Sequence, residues 1–272
     1  MDKIQAILLK RHEKMETAYQ HFRNNPFDPD KTHALRVSVR KFRALLNVIK
    51  PIILTETYDQ INHDLRQIAQ VFEAVRELDV LIEQCAKFAV EQPNLSEAYD
   101  ELFDYLIKER RKEMRRTLNK TNTQHIQDTL TAVHELIDQL PEHLVEGERD
   151  RKEGWSNYVS KRIKKKDKEL RKAYGKVDSS HYESIHETRL MAKKLRYAAK
   201  YLDELTDLKT KPMMKCATRI QNEFGEITDL HVNLALLEQY ATKAEKPAVQ
   251  QLLTAIRENK ITQLNTLADE NK

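Results

Sequence analysis

Glycine and proline are scarce in this chain, four and seven residues in 272. So few turn-formers exclude a fold of many short strands and tight hairpins, whose loops depend on both residue types. Cysteine is scarcer still. Cys85 and Cys216 each sit alone on an apolar helical pattern, which excludes a disulfide framework and suits a reducing cytosol. No apolar run approaches the length that spans a bilayer, and Met-Asp-Lys-Ile-Gln opens a charged amphipathic stretch without the apolar core of a leader. There is no phosphate-cradling Gly-rich loop, no G-x-S-x-G and no C-x-x-C, so nothing assembles a nucleophile, a base and an oxyanion donor. The expectation is a cytoplasmic protein that is not an enzyme and carries neither cofactor nor metal.

What is present is helix and charge. Charged residues make up 33% of the chain, and Leu, Glu, Lys, Arg, Gln and Ala are the residues of helices. Apolar periodicity predicts helices at about 1–24, 29–50, 57–90, 96–119, 123–140, 154–175, 182–205, 211–241 and 246–270. Asn24-Asn25-Pro26, Pro51, Pro93, Pro141 with Gly147 and Gly154, Gly175, Pro212 and Pro247 mark the breaks, and Asp28 or Asp30, then Asp178 to Ser180, are candidate caps for two of the helices.

Two of these helices carry the same pattern. His33-Ala-Leu-Arg36-Val-Ser-Val-Arg40-Lys41-Phe-Arg43 recurs 153 residues later as His186-Glu-Thr-Arg189-Leu-Met-Ala-Lys193-Lys194-Leu-Arg196. At about 100° per residue, the first, fourth, eighth and eleventh positions of each copy fall within an arc of roughly 80°. Each copy therefore lays an imidazole and three cations along one stripe, opposite an apolar face. On the first helix that face is Leu35, Val39, Phe42, Leu45, Leu46 and Ile49; on the second it is Met191, Leu195, Ala198, Ala199 and Leu202. The repeat extends outward. Met15-Glu-Thr-Ala-Tyr19 matches Leu170-Arg-Lys-Ala-Tyr174, and Phe72-Glu-Ala-Val-Arg-Glu-Leu78 matches Phe224-Gly-Glu-Ile-Thr-Asp-Leu230. The expected architecture is one all-α domain of two four-helix bundles related by pseudo-twofold symmetry. Residues 1–122 form the first repeat, 123–153 a connecting helix and linker, and 154–272 the second repeat.

The net charge of +4 hides strong segregation. Residues 33–50 carry +5 with no acid, 108–120 carry +5, 161–176 carry +7 and 186–200 carry +4; the rest of the chain holds −17. A solubilising face mixes signs for i,i+4 pairing, so two acid-free stripes point to an anion site between them. Three more cations lie on apolar faces. Arg110 lines up with Leu106, Met114 and Leu118, and Arg162 and Lys166 line up with Trp155, Val159 and Leu170. They either snorkel, pair locally or enter the basic space. Lys161, Lys164, Lys165, Lys168 and Lys172 read as an exposed rim. His33 and His186 lack the His or Glu at i+3 or i+4 that a helical metal site needs, and read as donors to phosphate oxygen. Glu77, Asp79 and Asp229 read as partners of cations within the fold.

These residues resemble the CHAD family of histidine-containing α-helical domains. The paired histidine and basic stripes carry the resemblance, with Arg76-Glu-Leu-Asp79-Val80 and Ile220-Gln221-Asn-Glu-Phe-Gly225-Glu-Ile-Thr-Asp229-Leu230 matching two further segments in order. Departures are small: Lys193 stands where arginine is expected, Glu77 for an aspartate and Thr228 for an asparagine. The resemblance implies two pseudosymmetric bundles, a basic cavity between them, and binding of inorganic polyphosphate, with a tie to polyphosphate granules. It implies no catalysis, since the triphosphate-tunnel enzyme domain often fused to this family has no counterpart here. The implied contacts are His33, Arg36, Arg40, Lys41, Arg43, His186, Arg189, Lys193, Lys194 and Arg196, with Arg110, Arg162 and Lys166 as additions. Polyphosphate has no bases to read and needs only dense donors. Nucleic acid is the alternative, but its sites gain from interleaved aromatics, and only Tyr197 lies near a stripe.

Overall fold

The computed structural model describes residues 2–93, 96–148, 154–178 and 181–270. Among them the helices are α1 (Asp2–Asn24), α2 (Pro29–Ile49), α3 (Thr55–Val71), α4 (Glu73–Glu91), α5 (Ser96–Thr117), α6 (Lys120–Asp138), α7 (Trp155–Tyr174), α8 (Tyr182–Tyr201), α9 (Thr210–Lys243) and α10 (Pro247–Glu270). The fold is all-helical, as its composition demands. None of these helices is long and apolar enough to cross a membrane. Cys85 and Cys216 are free thiols in separate apolar clusters.

One expected helix is two. The stretch predicted at 57–90 breaks at Phe72, which leaves helical geometry at φ −96° and ψ 7° between α3 and α4. Its repeat counterpart Phe224 lies inside α9, which runs unbroken for 34 residues. Both phenylalanines are buried in the same apolar cluster.

Burial groups the helices differently from their order. α1 packs on α2 and α6, and α3 packs on α2 and α6, which closes a ring of four. Thus α6, expected only to join the halves, fills the fourth side with Ile126, Leu130, Val133, Leu136 and Ile137. α7, α8 and the first half of α9 join this cluster through Val159, Ile163, Leu195 and Ile220. A second cluster unites α4, α5, the end of α9 and α10 through Leu78, Cys85, Leu102, Leu106, Leu237, Leu253 and Ile256. Counterparts spaced by 152 residues take matching places. Leu65 and Ala217, with Ile68 and Ile220, lie in the first cluster; Cys85 and Leu237, with Phe88 and Tyr240, lie in the second. α9 bridges both clusters, and the contact of α2 with α8 brings the two basic helices together.

Candidate functional site

α2 begins with Asp28 as its cap, accepting a hydrogen bond from the Asp30 amide at 2.9 Å, and with Pro29 in its first turn. Burial of Leu35, Val39, Phe42, Leu45, Leu46 and Ile49 fixes the helix's rotation and turns its cationic stripe away from that core. α8 does the same with Ile185, Ala192, Leu195, Ala198 and Ala199. Its cap is His181, so the Asp178 carboxylate acts one step removed, 2.8 Å from the His181 ring. Ser179 and Ser180, the other expected caps, lie outside the described residues.

The stripes share one cavity of about 550 Å³. His33, Arg40 and Lys41 line it from α2; Arg189, Lys193 and Arg196 line it from α8, joined by Tyr197, Lys200 and Tyr201. Val37 of α2 and Met214, Thr218 and Gln221 of α9 complete the lining, which contains no acid among the described residues. The charges are close enough to act on one another. Burial, then Arg189 and Arg40, lower the Lys193 ammonium to about 8, and Arg40 does so from the opposite wall. His33 is shifted down by burial and then by Arg76 and Arg40. His186 is shifted down by burial and then by Arg189 and Lys193. Both imidazoles are therefore neutral near pH 7 and can each donate one N–H. Nε of Arg189, Nε of Arg196, Nη1 of Arg36 and Nδ1 of His186 are buried without a hydrogen-bond partner among the described residues. Orphaned buried polar groups cost about 1–3 kcal/mol each, a cost that acceptor oxygens in the cavity would relieve at Arg189 and Arg196, the two of these that line it.

The aromatic faces nearby are already taken. The Arg196 guanidinium lies 4.9 Å from the centre of the Tyr197 ring, and Arg11 lies 4.2 Å from that of Tyr201.

Other expected contacts lie elsewhere. Arg36 is half-buried and faces α4, with Glu73 at 3.8 Å, much as Arg189 meets Asp229 at 3.1 Å while still lining the cavity. Arg43 turns to α3, where its Nε donates to Asn62 at 3.1 Å. His186 packs on Tyr182, ring centres 5.7 Å apart. Lys194 is exposed beside Lys166, which burial, Arg162 and Lys194 lower to about 8. Lys166 donates to Asn47 at 2.6 Å, and Arg162 Nε and the Tyr158 hydroxyl donate to the Val48 carbonyl at 3.3 and 2.9 Å. Those contacts satisfy the C-terminal end of α2, where helix carbonyls lack partners and cations are favoured. Arg110 is a correction. It is almost fully buried in an ion pair with Asp79 of α4, away from the cavity, because a cation held on an apolar helix face needs a partner and the Asp79 carboxylate supplies one.

Sequence reasoning missed Lys200, Tyr201 and Gln221. Lys200 was findable, since it continues the α8 stripe one turn beyond Arg196. Gln221 comes from a different helix, and no spacing links it to either stripe.

Fold and site together define an all-helical domain that gathers cations from two copies of an internal repeat around one cavity. The chain belongs to the CHAD family, whose CHAD domain model matches residues 6–238. A crystal structure of the CHAD domain from the plant Ricinus communis is similar with a TM-score of 0.76 at 19% identity, covering 97% of this chain and 86% of that one. PptA from Streptomyces chartreusis is similar with a TM-score of 0.71 at 13% identity, covering 98% of this chain and 95% of that one. At such identities the likeness is one of fold. No curated protein matches the sequence.

Proposed function

We propose that this protein binds inorganic polyphosphate in the cavity between α2 and α8 and does not turn it over. The observation that carries the proposal is an acid-free lining in which Arg40 and Lys41 face Arg189, Lys193 and Arg196 across about 550 Å³. Crowding these cations together is costly even with Asp229 beside Arg189, as the lowered Lys193 ammonium records. A chain with about one negative charge per internal phosphate offsets that cost along its length, and guanidinium forks suit its paired oxygens. The carboxylates nearest the stripes, Glu73 and Asp229, serve as partners of Arg36 and Arg189, which supports binding over phosphoryl chemistry.

The pairing of counterparts within both apolar clusters supports a pseudo-twofold relation between the repeats, with the cavity between their basic helices. We assign the protein to the cytoplasm, associated with polyphosphate granules. Nucleic acid fits less well. Base stacking needs free aromatic faces, and here Arg196 and Arg11 cover Tyr197 and Tyr201.

Titration with polyphosphate and with single-stranded DNA of equal charge tests the reading. Polyphosphate is expected to bind more tightly, with affinity falling steeply as salt rises. Equal affinity for the two polymers, or a preference among base sequences, would overturn it.

A further inference from the structure

A second cavity adjoins the first. It is an open hollow of about 830 Å³ beside α1, lined by Arg11, Lys14 and His21 of α1 together with His33, Lys41 and Lys200. The last three also line the cavity between the stripes, so the two hollows meet along a shared rim that carries the Lys41 and Lys200 cations and the His33 imidazole. Among the described residues neither lining contains an acid. Clefts elsewhere mix signs, with Lys108 and Lys246 beside Glu101 and Glu109 in one, and Lys87 and Lys260 beside Glu226 and Asp229 in another.

The α1 wall is built, not incidental. Arg11, Lys14 and His21 fall on one face at spacings of three and seven residues. Glu16 lies off that face, 3.6 Å from the buried His12. The Arg11 guanidinium is held over the Tyr201 ring at 4.2 Å, and its buried Nε has no hydrogen-bond partner among the described residues. A stacked guanidinium loses little freedom when it takes up an anion.

We propose that the polyphosphate track does not end at the two stripes but turns over Lys41 and Lys200 into the α1 cavity, where Arg11, Lys14 and His21 hold a further run of the same chain. This rests on the polyphosphate reading and adds a length preference to it. Once one segment is seated in the first cavity, the second engagement is intramolecular, so affinity rises with chain length without any new kind of contact. Chains too short to reach both hollows gain nothing from α1.

Calorimetric titration of the full chain with tripolyphosphate and with chains of tens of phosphates tests the extension. Arg11→Ala, and separately Lys14→Ala with His21→Ala, should each weaken long-chain binding by about tenfold or more while leaving tripolyphosphate unchanged. The Lys14 and His21 pair is exposed, so that variant keeps the test valid if loss of the Arg11–Tyr201 contact unfolds the protein. Arg40→Ala with Lys193→Ala should weaken both ligands. Long-chain binding untouched by the α1 variants, or tripolyphosphate weakened as much as the long chains, would overturn the extension alone. A wild-type protein that binds neither ligand would overturn the polyphosphate reading and the extension with it.

Discussion

Lys193 carries the clearest consequence at the scale of single residues. Its ammonium titrates at about 8 in the fold against an ordinary 10.5, because it is buried among Arg189, Arg40 and Arg196 with only Asp229 opposing them. Below pH 8 the residue is charged whether folded or unfolded, and the fold bears the full cost. Between about 8 and 10.5 the folded state sheds the proton first, so this group's contribution to stability rises with pH. Lys166, also lowered to about 8, acts in the same direction. A polyphosphate in the cavity reverses the preference by favouring the charged form. Binding near pH 8 to 9 is therefore expected to take up protons, and affinity to fall as pH rises through 8. Calorimetry in buffers of different ionisation enthalpy reads the uptake directly; its absence would place Lys193 away from the ligand. Arg110 shows the opposite case. Its pair with Asp79 is nearly sealed, with side-chain exposures of 8% and 2%, and burial pushes the Asp79 carboxyl up even against Arg110. Removing one member of a buried pair strands the other, so Arg110→Ala should cost about 3–5 kcal/mol in chemical denaturation. Polyphosphate affinity per folded molecule should not change. The sequence showed that Arg110 lies on an apolar face, but not which carboxylate meets it, because α4 and α5 meet through their cores.

At the scale of elements, periodicity located the helices because each buries a regular stripe. The break at Phe72 was invisible, since Phe224 occupies the same place in the repeat without a break. Gly225 is the next residue along that helix, and its counterpart Glu73 pairs with Arg36. A methyl group added at Gly225 would meet Arg189 Nη2 at 3.9 Å and Nε at 4.0 Å, both ordinary contacts. Glycine inside a helix costs about 1 kcal/mol relative to alanine. Gly225→Ala should therefore raise stability by about 0.5–1 kcal/mol, seen as a higher Tm, with binding preserved. Gly225→Leu should displace Arg189 and weaken binding. A Tm drop in the alanine variant would mean that α9 needs more room against Arg189 than its static packing shows.

At the scale of the molecule, the repeat revealed two basic stripes and the contact of α2 with α8 sets them around one cavity. The role of α6 was not legible, because its place in the first cluster depends on the faces that α1 and α3 leave uncovered. Nor was the full site, which draws Gln221 from α9 and Lys200 from the end of α8. The central claim is that the facing walls act together on one polyanion. Long-chain polyphosphate affinity of Arg40→Ala, Lys193→Ala and the double variant, beside thermal melts, tests it most directly. Charge-assisted contacts are worth about 1.5–3 kcal/mol each, so the double variant should lose on the order of 3 kcal/mol, about two orders of magnitude in Kd. Its Tm should hold or rise as repulsion is relieved. Unchanged affinity with an intact fold would contradict the claim, as would a loss confined to one wall.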